Sequence, residues 1–165
     1  MKQEIALEGD LGRTGKVGRV AVSLLAGAGM MISAYLTYVH FAGGGPLCAG
    51  VGDCEAVNTS IYSELGGIPV ALLGFGMYAL ILFIVLLRRA IPGNRLYEEW
   101  FSLVPFGLSL VGTLYSAYLT YIELFVLRAI CPWCVASALI ITAILGLFLW
   151  DLLTTGQIGE KTSEV

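Results

Sequence analysis

The chain has 165 residues, enough for one domain, of which 58% are hydrophobic and only 13% charged, with a mean hydropathy of +0.85. That balance excludes an ordinary soluble domain and points to a membrane protein. The net charge is −3 and no basic stripe is present, which argues against nucleic acid as a partner.

Residues 1–16 are polar and Gly-rich and read as a poorly ordered tail. Four windows without Asp, Glu, Lys or Arg follow, at 20–41, 68–87, 101–122 and 129–150, each 20 to 22 residues long. At roughly 1.5 Å rise per residue, such a helix crosses the ~30 Å hydrocarbon layer. The first window starts late and exceeds the apolar stretch of a cleavable signal, so it belongs to the fold. The expected fold is all-α: an integral membrane four-helix bundle with helices at about 18–41, 68–89, 101–125 and 131–152. An outer loop at 42–67 forms its cap, and 153–165 is a second tail. Gly43-Gly44-Gly45-Pro46 stops the first helix and Ile91-Pro92-Gly93-Asn94 turns the chain between the second and third. Ile61, Tyr62 and Leu65 have helical spacing, which fits either a short interfacial helix over the bundle mouth or an irregular loop.

Lys2, Arg13, Lys16, Arg19, Arg88, Arg89, Arg95 and Lys161 all fall on one side of such a bundle. Only Arg128 falls on the other, and 42–67 has no Lys or Arg. Positive-inside bias makes the basic side, with both termini, cytoplasmic in a multi-pass cell-membrane protein. Cys48, Cys54, Cys131 and Cys134, all the cysteines in the chain, then lie on the outer face, where disulfides form and persist.

An internal echo links the two cysteine regions. Ser33-Ala34-Tyr35-Leu36-Thr37-Tyr38 recurs 83 residues later as Ser116-Ala117-Tyr118-Leu119-Thr120-Tyr121, and the same offset relates Cys48 to Cys131. Small residues four apart let helices approach closely in lipid, so the first and third helices are expected to use similar faces.

Cys131-Pro132-Trp133-Cys134 opens the fourth helix. Proline suits the first helical turn, and the unpaired N–H groups there favour a thiolate at Cys131. Cys134 lies about one turn deeper, towards the bundle interior. Cys48 and Cys54 enclose two glycines, and closing so small a loop stabilises by only about 2 to 2.5 kcal/mol, which suits a disulfide that opens and closes. A permanent staple is the alternative for that pair taken alone. A zinc site built from the four cysteines is disfavoured by the C-x5-C spacing and the oxidising compartment. Two dithiols in series pass on two electrons by thiolate attack and mixed disulfides. With no nucleotide motif and no haem ligand set, a lipid-soluble quinone inside the bundle is the expected acceptor. His40, at the outer end of the first helix, reads as a polar interfacial residue before it reads as a proton carrier. Trp133, Tyr62, Tyr38 and Tyr121 form an aromatic belt, with Trp133 and Tyr62 as candidate quinone contacts. Glu123 and Asp53 have no evident partner, and with the helices uncharged a transport path is disfavoured.

These residues together resemble the vitamin K epoxide reductase family, in particular its prokaryotic quinone-reducing members, over roughly 17–152. The resemblance rests on Cys48 and Cys54, on Ser60 six residues after Cys54, on Gly67-Ile68-Pro69 entering the second helix, and on Cys131-Pro132-Trp133-Cys134. It implies a four-helix bundle around a quinone of the menaquinone, ubiquinone or vitamin K type, capped by a short outer half-helix. It further implies that Cys48 exchanges with a partner thiol, Cys54 relays to Cys131, Cys134 adjoins the quinone, and Ser60 holds the half-helix or the ring region. The implied partner is a thioredoxin-like oxidase that makes disulfides in exported proteins. Many prokaryotic members carry such a domain fused. This chain ends at Val165 without one, so the partner is expected in trans. Ala138 stands where the vertebrate enzymes have a tyrosine, and 68–87 lacks their asparagine, which favours plain quinone reduction over epoxide reduction. The alternatives are the bacterial disulfide bond formation protein B type, whose C-x-x-C usually comes first, and a non-catalytic membrane protein with structural disulfides.

Overall fold

The computed structural model describes the backbone of residues 2–48, 52–90 and 95–162, and the side chains of 18–48, 52–88 and 103–153. The turn expected at 91–94, Gly50 of the cysteine loop, residues 163–165 and the side chains of Lys2, Arg13, Lys16, Arg89, Arg95 and Lys161 lie outside the described residues. The chain forms an all-α bundle of four long helices: α1 (Lys2–Ala42), α3 (Val70–Ala90), α4 (Arg95–Ile122) and α5 (Pro132–Thr162). Each contains a segment long and apolar enough to cross a membrane: Gly18–Ala42, Val70–Arg88, Leu103–Leu127 and Pro132–Leu153. The backbone of 2–16, expected to be an irregular tail, is a continuation of α1, and α5 likewise runs on to Thr162. Good helix formers such as Gln3, Glu4, Ala6, Leu7 and Glu8 outweigh the scattered glycines there.

Exposed Leu24, Met31, Phe83, Leu114, Leu139 and Trp150 ring the outside of the bundle, as a lipid solvent requires. At the end away from the cysteines the axis is filled. Val22 and Ala26 of α1, Ile81 and Val85 of α3, and Ile141 and Ile144 of α5 form one buried cluster. Because lipid is as apolar as these side chains, van der Waals contact rather than water exclusion holds that half together. Tyr78, also fully buried, closes the cluster towards the cysteine end. Its ring lies against Gly29, where a Cβ would approach to 2.5 Å, and its hydroxyl donates to the Ser137 carbonyl at 2.9 Å.

The cap between α1 and α3 is neither of the two shapes expected for 58–67. The helical turn comes earlier, as α2 (Cys54–Asn58), because Asp53 caps it by accepting the Ala56 N–H at 3.0 Å. A 3-10 turn (Ile61–Ser63) follows, then a minimal antiparallel hairpin of β1 (Glu64–Leu65) and β2 (Ile68–Pro69). Gly66 and Gly67, with φ of +61° and +83°, supply the two positive-φ positions that a two-residue hairpin turn demands. His40, at the end of α1, lies 3.2 Å from the Asn58 carbonyl and 3.2 Å from a Glu64 carboxylate oxygen, and so joins the first span to the cap.

Candidate functional site: a thiol pair facing an apolar cavity

The π-helical turn Glu123–Leu127 ends the third span. Arg128 adopts the left-handed conformation (φ 52°), and the Glu123 carbonyl accepts the N–H groups of both Arg128 and Ala129, so the chain reverses within a few residues. This reversal delivers Cys131 to the start of α5. Pro132 takes the first helical position, the Cys131 carbonyl accepts the Val135 N–H at 3.0 Å, and the Cys134 N–H points at the Cys131 sulfur at 3.4 Å. Cys131 therefore caps the helix with its own thiol, as the C-P-W-C spacing predicts. The Cys134 thiol hydrogen-bonds to the Cys131 sulfur and holds its pKa below the ordinary thiol range. Burial opposes this, and the Cys134 and Trp133 N–H groups reinforce it.

Cys48 and Cys54 are joined as a disulfide, with Cα atoms 6.2 Å apart, while Cys131 and Cys134 are free thiols. The two pairs meet through the backbone. The N–H of Asp53, immediately before Cys54, donates to the carbonyl of Ile130, immediately before Cys131, at 3.2 Å. Gly52 permits this approach. Its φ is +82°, and a Cβ there would overlap the Ile130 carbonyl oxygen. Cys54 and Cys131 are both buried beneath this contact, at 2% and 1% exposure.

Beneath the cap lies a cavity of about 310 Å³, within the range of small-molecule sites. Leu36, Leu73, Met77, Val111 and Leu119 give it apolar walls, and Tyr78 stands at its inner end. Cys131, Cys134, Glu123 and Ser137 bring polar atoms to one side, and Asn58, Ser60, Tyr62 and Ser63 roof it. Ser33 and Leu36 line it from α1, and their repeat counterparts Ser116 and Leu119 line it from α4, so the two copies of the hexapeptide do present equivalent positions to one space. Ser60 ends the half-helix: its hydroxyl donates to the Val57 carbonyl at 2.8 Å, and its carbonyl accepts the N–H and hydroxyl of Ser63.

Trp133 does not line the cavity, against the expected quinone contact. Its indole N–H donates to the Leu47 carbonyl at 3.0 Å and its ring packs on Tyr35, 5.3 Å away, whose hydroxyl accepts the Leu47 N–H at 2.9 Å. Position 133 faces sideways from the helix start, so this tryptophan fastens the cysteine loop. A second correction concerns charge. The third span, Leu103–Leu127, contains Glu123, which is 5% exposed. Its carboxylate accepts the Cys131 N–H at 3.2 Å, and it lines the same cavity as Cys134. An acidic residue inside the expected 101–125 helix, eight residues before the first cysteine of C-x-x-C, was the available signal.

The arrangement fits thiol exchange across a cap and electron delivery into an apolar chamber. The sequence profile of the vitamin K epoxide reductase family matches residues 20–149. The chain belongs to that family. It is therefore a multi-pass membrane redox protein of the thiol-disulfide oxidoreductase kind, and members of the vitamin K epoxide reductase family use quinones as electron carriers.

Proposed function

We propose that this vitamin K epoxide reductase family member reduces a membrane quinone with electrons taken from a thioredoxin-like partner, and so supports disulfide formation in exported proteins. The observation that carries the reading is the Cys134 thiol on the wall of an apolar cavity whose roof is the loop bearing the other cysteine pair. A flat apolar ring with two polar oxygens suits the chamber: Leu36, Met77, Val111 and Leu119 offer faces, and Ser116, Tyr115 and Ser137 offer polar atoms. When bound, the quinone supplies an acceptor for two electrons and two protons.

The chain's own part is a series of exchanges. A partner thiolate attacks the Cys48–Cys54 disulfide at Cys48, the half-buried member, and its second thiol resolves the mixed disulfide, leaving both loop cysteines reduced. Cys54 then attacks the oxidised Cys131–Cys134 pair at Cys131, beside which its own segment is docked, and releases Cys134 into the cavity. Cys48 resolves the Cys54–Cys131 bond, which restores the loop disulfide and leaves Cys131 as a stabilised thiolate. The basic residues of 1–19, 88–95 and 161 put both termini in the cytoplasm and this chemistry on the outer face.

The test uses the full chain in lipid nanodiscs, with a reduced thioredoxin-like protein or dithiothreitol as donor and a short-tailed quinone as acceptor. Quinone absorbance should fall in the wild type and not in Cys134→Ala, and non-reducing mass mapping of Cys134→Ala should find a Cys54–Cys131 link. A wild-type protein that leaves the quinone oxidised, with its four thiols demonstrably active towards the donor, would overturn the reading.

A further inference from the structure

We propose that Glu123 is the proton acceptor of the Cys131–Cys134 pair, taking the proton from the Cys134 thiol as the helix pair is oxidised. The inference rests on the quinone-reductase reading for the identity of the electron acceptor, and on geometry for the rest.

Three observations converge on this carboxyl group. It is 5% exposed inside a membrane-spanning segment, where an ionisable side chain is costly unless a partner or a task compensates. Among the described residues no cation pairs with it; the Cys131 N–H donates to it at 3.2 Å. It also lines the same cavity as Cys134, so a proton held on it stands at the chamber wall. A purely structural acceptor for the Cys131 N–H need not be ionisable, nor line the chamber. Its placement is built into the backbone. The π-helical turn widens the helix at Glu123, and the double acceptance by its carbonyl fixes the main chain while the side chain reaches forward to the start of α5. The titratable and charged groups around it are Cys131 and Cys134 at the start of α5, Asp53 and Glu55 at the start of α2, which packs on the π turn, Tyr115 and Arg128 on its own span and reversal, and His40, Tyr62 and Tyr78 on the wall of the same cavity.

The balance is complete. Cys134 gives its proton to Glu123, and the thiolate left behind faces the cavity. The ionised Cys131 sulfur bonds to the Cys134 sulfur and two electrons pass to the quinone; one proton follows from Cys134 by way of the carboxylate, and the second, shed when Cys131 ionised, returns from the outer aqueous face. A disulfide and a hydroquinone are formed, and Glu123 ends ionised as it began. Cys131, already favoured as a thiolate at the helix start, needs less help than Cys134, which lies within the apolar span.

Glu123→Gln keeps an acceptor for the Cys131 N–H and removes the base. In nanodiscs, with reduced protein and a short-tailed benzoquinone, closure of the Cys131–Cys134 disulfide scored by maleimide gel shift should slow roughly a hundredfold at neutral pH, the lower end for a lost general base. The Gln variant should recover with rising pH as hydroxide substitutes, and Glu123→Asp should recover part of the rate. The second readout needs neither quinone nor variant. Oxidising the reduced wild type with diamide, with no quinone in the chamber to take the proton onward, should leave that proton on Glu123 and give an infrared difference spectrum with a deuterium-sensitive carboxyl band, absent from Glu123→Gln. Equal closure rates in wild type and Gln variant, or no such band in the wild type, would overturn the assignment. Should the Gln variant not fold, the wild-type band decides. Should the wild type ignore the quinone yet show the band, the quinone reading fails while the proton role of Glu123 stands.

Discussion

The two ends of the bundle are made by the same four helices and differ in what occupies the axis. Away from the cysteines, Val22, Ala26, Ile81, Val85, Ile141 and Ile144 pack into one buried cluster, and Tyr78 closes it. Towards the cysteines, Ser33, Gly74, Ser116 and Ser137 take the corresponding inward positions and a cavity of about 310 Å³ opens. Small side chains bring α1 and α3 close at Ser33 and Gly74, where an added Cβ would meet the Ser33 hydroxyl at 3.2 Å. The helices separate around the chamber without losing contact elsewhere. One end carries the packing and the other opens a chamber, which on the proposed reading holds the quinone.

Substitutions that fall in one half and leave the other untouched test this division. Ile144→Ala, in the filled half, should cost about 2–5 kcal/mol in a reversible unfolding titration in detergent, as a buried deletion with no room to collapse does. Quinone reduction per folded molecule should stay within about twofold of wild type. A large loss of turnover at unchanged folding would show that the halves are coupled. Ser116→Phe has the opposite signature. Expelling a ring from the chamber costs on the order of 1–3 kcal/mol, so affinity for a short-tailed quinone should fall about tenfold to a hundredfold with little change in unfolding midpoint.

Gly52→Ala addresses the roof rather than the chamber. Left-handed backbone costs a residue with a Cβ about 1–2 kcal/mol, and the methyl also overlaps the Ile130 carbonyl. The cap should undock, and alkylation of the buried Cys131 by iodoacetamide should rise several-fold while the bundle keeps its melting point. The smallest effect is one of pH alone. Cys131 is held below the ordinary thiol range chiefly by the Cys134 thiol, so it reacts as a thiolate at lower pH than a free cysteine does. Cys134→Ala removes that donor and should move the pH dependence of Cys131 alkylation upwards. A profile that stays put would assign the effect to the helix start instead.

The filled half was readable from the chain because uncharged windows of membrane-crossing length leave few folds open. The vitamin K epoxide reductase resemblance, carried by Cys48, Cys54, Ser60 and Cys131-Pro132-Trp133-Cys134, anticipated the bundle and its cap. Helix placement of the C-P-W-C motif followed from proline and dipole chemistry alone. What escaped was set by local three-dimensional accidents of backbone. The π turn at Glu123–Leu127 has no sequence signature, so the reach of Glu123 to Cys131 was invisible and the residue looked unpartnered. Trp133 is a candidate quinone contact as one of the boundary aromatics, but the direction of a side chain at a helix start depends on the loop it meets, here at Leu47. Asp53 was likewise unplaced until α2 began directly after it.

The seam between the cysteine loop and the last helix is written in main-chain atoms, an N–H of Asp53 on a carbonyl of Ile130, beside Gly52, where a side chain would not fit. Such a seam demands a bare residue at position 52 and reads no other side chain. On the proposed reading, the exposed side chains of the cap can be recoded for a different electron donor while the loop keeps its seat, so that choice of partner and alignment of the relay can evolve separately.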